Sequence, residues 1–168
     1  LTSTARDLGI AGPDYTFGHG LINAYAAAGI GTAAGGVVTS GTWTEDNSPY
    51  YVTSELAIPQ GATLRIEPGV EVRFEAAVGV TIAGVLEVVG AVDDFVRFVA
   101  GGSGSWGGLA VVPGGLASLS YARIEGVYTS QSDRGGALSV LSSGASADLT
   151  GCVLDGNTAD SGSGLLAS

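Results

Sequence analysis

An apolar pair split by one residue recurs along this chain: Leu64-x-Ile66, Leu86-x-Val88 and Leu109-x-Val111, with spacings of 22 and 23 residues. Later, Gly135-Gly136-Ala137-Leu138 is echoed after 27 residues by Gly162-Ser163-Gly164-Leu165. A period of roughly 20–30 residues is too short for a domain and too long for one strand. Each unit therefore holds several short segments and buries its apolar face only against the next unit. From Pro49 onward those segments alternate apolar and polar residues, as in Thr63-Leu64-Arg65-Ile66-Glu67, Val70-Glu71-Val72-Arg73-Phe74 and Phe95-Val96-Arg97-Phe98-Val99. Each sends its large apolar groups one way and its Arg or Glu the other, the signature of a half-buried strand. The pattern predicts a solenoid of stacked strands, with Leu64, Leu86 and Leu109 in one interior column and Ile66, Val88 and Val111 in a second. Heptads fit poorly because Gly recurs throughout, and the asparagine-centred consensus of leucine-rich repeats is absent. A sandwich or barrel is the structural alternative, since regularly spaced short strands suit those folds as well.

Composition narrows the function. The 168 residues allow one ordinary domain or a small domain with an appendage, and 45% of them are hydrophobic, enough for a core. All six basic residues are Arg, against sixteen acids, for a formal charge of −10. That balance excludes nucleic-acid binding, which needs clustered positive charge, and disfavours anionic membrane surfaces. The lone Cys152 has no internal disulfide partner, and with His19 it makes two zinc ligands where four are usual, so it reads as a small buried hydrophobe. Residues 15–44 carry no formal charge, yet seven glycines and few large apolar side chains make this stretch too weak for a membrane span. The chain opens at Leu1 without Met, a basic n-region or a cleavage site, and reads as an internal piece of a longer protein.

Residues 1–30 differ in character from the rest. Leu1-Thr2-Ser3-Thr4-Ala5-Arg6-Asp7-Leu8 stops at Gly9 and Leu21-Ile22-Asn23-Ala24-Tyr25-Ala26-Ala27-Ala28 stops at Gly29, which predicts two short helices closed by glycine. Thr4-Ala5-Arg6-Asp7-Leu8-Gly9, then Gly12-Pro13-Asp14-Tyr15, then Phe17-Gly18-His19-Gly20-Leu21-Ile22-Asn23-Ala24 and Ala27 resemble the closing segment of subtilisin-like serine protease domains. The resemblance implies that the catalytic Asp, His and Ser lie upstream, and no "GTS(M/L)A.P" nucleophile motif occurs in this chain. It places His19 in a closing turn before the last helix, with a surface or capping role, and assigns no catalytic residue here. Residues 31–48 have the small, polar composition of a linker, and the domain boundary is expected there.

Residues 49–168 carry a second resemblance. Ser48-Pro49-Tyr50-Tyr51-Val52, Ile58-Pro59-Gln60-Gly61-Ala62-Thr63-Leu64-Arg65-Ile66-Glu67-Pro68-Gly69-Val70, Gly84-Val85-Leu86, Gly90-Ala91 and Trp106-Gly107-Gly108-Leu109 are similar to the opening coils of right-handed parallel β-helix domains in secreted bacterial proteins. Leu149-Thr150-Gly151-Cys152-Val153-Leu154-Asp155-Gly156-Asn157-Thr158-Ala159 resembles later coils of the same class, in which Asn often occupies a turn. The expected fold is mainly β: a right-handed parallel β-helix, incomplete at its C-terminus, preceded by two short helices from the end of an α/β subtilisin-like domain.

Candidate chemistry is sparse. Glu67, Glu71, Glu75 and Glu87 offer carboxylates of the kind glycoside hydrolysis pairs across a cleft, but their alternation with apolar residues reads as solvated strand faces. Lyases on this fold use basic groups and often calcium, whereas Arg65, Arg73, Arg97, Arg123 and Arg134 stand beside no calcium-spaced acidic cluster. Asp155-Gly156-Asn157-Thr158-Ala159-Asp160 has hard oxygen ligands but lacks the closing bidentate acid of a calcium loop, and reads as a turn in which Asn157 bonds neighbouring backbone. Trp43, Tyr50, Tyr51, Trp106, Tyr121 and Tyr128 are candidates for stacking on sugars, with Trp106 expected in the core. No cofactor or metal is expected. The functional expectation is a fragment of a secreted multidomain protein: the tail of a subtilisin-like endopeptidase acting on polypeptides, with the β-helix as stalk or binding module. The alternatives are a noncatalytic adhesin or carbohydrate-binding surface protein and, behind these, a β-helix polysaccharide-degrading enzyme. Its location is expected to be extracellular or at the cell surface.

Overall fold

The structure, a computed structural model, describes residues 31–130, 136–160 and 162–167. The two helices expected within residues 1–30, the subtilisin-like segment and His19 lie outside the described residues. The only helical element described is a single 3-10 turn at Glu45–Asn47.

The chain winds through about five turns of a parallel β-solenoid. The first coil holds β1 (Thr32–Val37) and β2 (Gly41–Trp43), and the second holds β3 (Tyr50–Ile58) and β4 (Thr63–Ile66). Next come β5 (Glu71–Phe74), β6 (Val80–Ile82) and β7 (Val85–Val89), then β8 (Val96–Ala100), β9 (Leu109–Val111) and β10 (Leu116–Ser120). The following coil carries β11 (Ala122–Glu125), β12 (Tyr128–Thr129), β13 (Leu138–Val140) and β14 (Ser146–Thr150). A final part-turn, with no described strand on the third face, holds β15 (Val153–Asp155), β16 (Thr158–Ala159) and β17 (Leu165–Ala167).

Every pair of named strands runs parallel, and apart from β12 and β16, which pair only with each other, they make three faces. Long β3 belongs to two of them. Its residues Tyr50, Val52 and Tyr51 pair with β5, and Leu56, Ala57 and Ile58 pair with β6. The first face continues β5-β8-β11-β15 and the second β6-β9-β13-β17. The third face is the sheet β14-β10-β7-β4-β2.

Alternation in sequence becomes burial in space. In β4, Leu64 and Ile66 are buried and Thr63 and Arg65 are not; in β5, Val72 and Phe74 are buried and Glu71 and Arg73 are not. Strand register then stacks like positions. Leu64 pairs with Leu86 and Ile66 with Val88, as the repeat predicted. Leu138 pairs with Leu165, so the 27-residue echo is a true coil repeat. Trp106 is fully buried, its ring stacked on that of Phe74 with centroids 4.1 Å apart and planes nearly parallel, and its indole N–H donates to the Glu125 carbonyl at 2.8 Å. A buried indole needs such a partner.

Two expectations are corrected. Leu109 and Val111 are buried, but they stand on the second face, stacked on Val80 and Ile82. The coil successors of Leu86 and Val88 are Ala117 and Leu119. The apparent 23-residue period from Leu86 to Leu109 therefore compares different faces; it arises because the connections of that coil lengthen, at residues 90–95, 101–108 and 112–115, and carry the true successors of Leu86 and Val88 further along the chain. Residues 31–48, read as a linker, contribute β1 and β2, which pair with β3 and β4. These residues already belong to the solenoid. Small residues hid it from the pattern, because Thr32-Ala33-Ala34-Gly35-Gly36 has no large apolar alternation.

Tight corners join the second face to the third. A Cβ on Gly84 would lie 2.3 Å from the Pro59 carbonyl oxygen, and one on Gly115 would lie 2.1 Å from that of Ile82. Here glycine is required by the approach of the neighbouring coil's backbone. Gly84→Ala is expected to destabilise the fold through this clash, and Leu86→Ala, which empties a site 1% exposed, by about 2–5 kcal/mol. Urea unfolding of both variants checks this; a Leu86→Ala midpoint equal to the parent's would contradict the interior placement.

Candidate functional site

The outward side chains of the first face form a charge ladder. Register places Glu71 beside Arg97, Arg97 beside Arg123, and Glu125 beside Asp155. Two arginines directly opposite one another repel. The carboxylates between them offset this. Arg97 donates to Glu71 at 2.9 Å and stands 3.9 Å from Glu125, while Arg123 pairs with Glu125 and reaches Asp155 at 3.4 Å. Arg73 pairs with Glu71, donates to the Tyr51 hydroxyl at 3.0 Å, and lies over the Tyr51 ring at 5.6 Å. Hydrogen bonding to Glu71 and to Glu125 raises Arg73 and Arg123, respectively, above the usual arginine range. On the third face Arg65 pairs with Glu87 at 2.8 Å, and that bond raises Arg65 likewise. Solvent screens exposed pairs of this kind, so each contributes little by itself. A groove of about 360 Å³ lies among Phe95, Arg97, Arg123 and Glu125, but its guanidinium groups are already committed to carboxylates.

The corner between the first and second faces is built differently. The connection there differs between coils: β3 runs straight through it, residues 75–79 and then 101–108 cross it, and the next coil leaves the first face after Glu125, passes through β12 and rejoins the second face at Leu138. The early coils make a floor and the later one a wall. Between them is a cleft of about 380 Å³, lined by Glu55, Ala77, Gly79, Gly107, Tyr128, Thr129 and Ser130. Glu55 is oriented by its own coil neighbours: its carboxylate accepts from the Gly79 N–H at 3.2 Å and from the Thr81 hydroxyl at 2.9 Å.

The structure distributes the candidate residues plainly. Glu71 and Glu87 are held in ion pairs, and Glu71 is less solvated than its alternation suggested, with its side chain 18% exposed. Glu67 is half-buried and Glu75 exposed, and neither is brought to the cleft. Asn157 does what its position predicted: its side-chain oxygen accepts from the Val127 N–H at 3.0 Å and its amide donates to the Ile124 carbonyl at 2.9 Å, tying the last described coil to the one before. The half-buried Cys152 packs against the core and its thiol donates to the Leu119 carbonyl at 3.3 Å. No group of three or more His, Cys, Asp or Glu able to hold a metal occurs among the described residues. No described helix is long and apolar enough to cross a membrane.

Of six aromatics proposed for stacking, Trp106 and Tyr50 are buried. Trp43 stacks on Tyr50 at 4.4 Å, Tyr51 lies under Arg73, and Tyr121 meets Phe95 edge-on at 5.9 Å. Tyr128 alone of the six is exposed, at 51%, and it stands in the cleft. Glu55 was missed by sequence reasoning. Its signal was weak, a single acid between Thr53-Ser54 and Leu56 with no carboxylate at a telling distance.

No protein-family model matches the chain, which leaves the subtilisin-like likeness of residues 1–30 without support from that comparison. No solved structure matches it either. A 47-residue stretch, 28% of this chain, is 38% identical to part of Protein bark beetle of Drosophila melanogaster. The match spans about 2% of that protein's length.

Two outcomes test the site chemistry. Asn157→Ala strands the Val127 donor and the Ile124 acceptor, and is expected to lower stability by about 1–3 kcal/mol, read by urea unfolding. Burial raises the Tyr50 phenol above its ordinary value, partly countered by its hydrogen bonds with Thr44. The neutral phenol is the form the fold favours. Its contribution is therefore complete below the unfolded tyrosine pKa of about 10 and is lost as pH rises through the higher folded value. Alkaline unfolding should accordingly shift in Tyr50→Phe, measured by circular dichroism against pH.

Proposed function

We propose that the solenoid is a rigid noncatalytic module, a stalk or binding element, of a secreted multidomain protein. The observation that carries this reading is the use of its conspicuous side chains within the stack. Trp106, Asn157, Glu71, Glu87 and the arginines of the first face all bond or pack between coils. A catalytic pair of carboxylates would need both groups directed to a shared space, whereas Glu71 and Glu87 stand on different faces in separate ion pairs. This disfavours a polysaccharide-degrading enzyme. Right-handed winding is part of the proposal, since parallel crossovers within one sheet take that hand in about 98% of cases.

The likeness of residues 1–30 to the close of subtilisin-like domains supports a secreted serine endopeptidase as the parent, with its triad upstream and polypeptides as its substrates. The likeness of residues 49–168 to β-helices of secreted bacterial proteins supports the same extracellular setting. Two measurements test these parts separately. The purified chain should neither hydrolyse casein nor react with a fluorophosphonate probe, and stoichiometric labelling would overturn the noncatalytic reading. The coding DNA upstream of Leu1 should encode the nucleophile motif; a different domain there would end the protease reading and leave the module intact.

A further inference from the structure

We propose that the cleft at the corner of the first and second faces binds an uncharged saccharide. This deepens the binding-module reading and rests on it for the absence of turnover. Three observations converge on the ligand's class.

The first is the surface offered. Gly79 and Gly107 give the cleft a floor without side chains, and Tyr128 of β12 stands in its wall with half its surface free. A pyranose has an aliphatic face that suits an exposed phenol ring and a hydroxyl rim that suits polar neighbours. Sites of this kind combine an apolar contact with a few placed polar groups. The polar groups here are Glu55, Thr129 and Ser130.

The second is the state of the floor's backbone. The Gly79 N–H is taken by Glu55 and its carbonyl by the Leu56 N–H. The Gly107 N–H donates to Val78 and the Gly108 carbonyl accepts from Val80. An extended peptide would dock by adding a strand to free backbone groups. Those groups are already used, so the cleft recognises a ligand through side chains and shape.

The third is charge. Glu55 is the one lining residue that carries a formal charge at neutral pH, and the chain as a whole carries −10. An anionic sugar or a nucleic acid would be repelled, while a carboxylate whose two oxygens are held by Gly79 and Thr81 keeps lone pairs to accept from sugar hydroxyls. The lengthening connections that form the step have, on this view, a use beyond the stack.

The test uses the whole 168-residue chain labelled with nitrogen-15 and titrated with cellobiose, maltose and N,N′-diacetylchitobiose, with galacturonic acid as the anionic control. Amide shifts should gather at Gly79, Gly107, Tyr128 and Thr129 for at least one neutral disaccharide, with a Kd on the order of 1 mM, as befits one aromatic in an open cleft. Tyr128→Ala should weaken binding at least about tenfold, a loss of about 1.4 kcal/mol, and Tyr128→Phe should retain it. Glu55→Gln should weaken it by a smaller factor. Thermal melting of each variant confirms that the fold is kept. Absence of shifts with all three neutral sugars, shifts that survive Tyr128→Ala, or tighter binding of galacturonic acid would overturn the proposal. Release of reducing ends from a bound oligosaccharide would instead overturn the noncatalytic reading and leave the site standing.

Discussion

The in-register parallel hydrogen bonding between successive coils is the constraint from which the other features follow. A strand presents backbone donors and acceptors along both edges, and in a solenoid only the next coil can satisfy them. Parallel register then sets each residue over its counterpart. Val72, Phe98, Ile124 and Leu154 make one such column, and Val80, Leu109, Leu138 and Leu165 another. The interior is thus a set of stacked columns, one of which ends half-exposed at Leu165, and the large rings of Phe74, Phe98 and Trp106 stack within it.

The same register creates a problem outside. Polar residues are stacked like on like, so Arg97 lies beside Arg123. Glu71 and Glu125 resolve it: Glu71 accepts from Arg73 along its strand and from Arg97 across it, and Glu125 accepts from Arg123 along its strand and lies 3.9 Å from Arg97 across it. The ladder is a consequence of the stack, and its charges are balanced by the stack. Turns meet a related need. Where the backbone leaves a strand at residues 126–127, Asn157 of the following coil supplies a donor and an acceptor in place of the missing ladder bonds.

Corners are the places where such a chain can vary without disturbing its columns. The corner from second face to third varies in length as well, from residues 83–84 to 141–145, but at Gly84 and Gly115 the neighbouring backbone leaves no room for a side chain. The corner from first face to second tolerates connections of different lengths, and the only cleft of the two described that is free of arginine forms over that step. Rigidity and recognition are in this way assigned to different edges of one architecture.

Local periodicity, being a property of neighbouring residues, was enough to determine that the chain forms short half-buried strands and which side of each faces inward, while turn chemistry around Gly156 marked Asn157 as a turn residue. Leu64 over Leu86 and Leu138 over Leu165 were also legible, because the coils between them are close to one length. What the tertiary structure decided was which strand lies on which. Leu109 moved to another face, residues 31–48 joined the stack, and Glu55 met Tyr128 across a cleft, because coil register depends on pairing with residues some 20–30 positions away. A few residues inserted at a corner shift every later comparison in the sequence while leaving the hydrogen-bonded register in space unchanged.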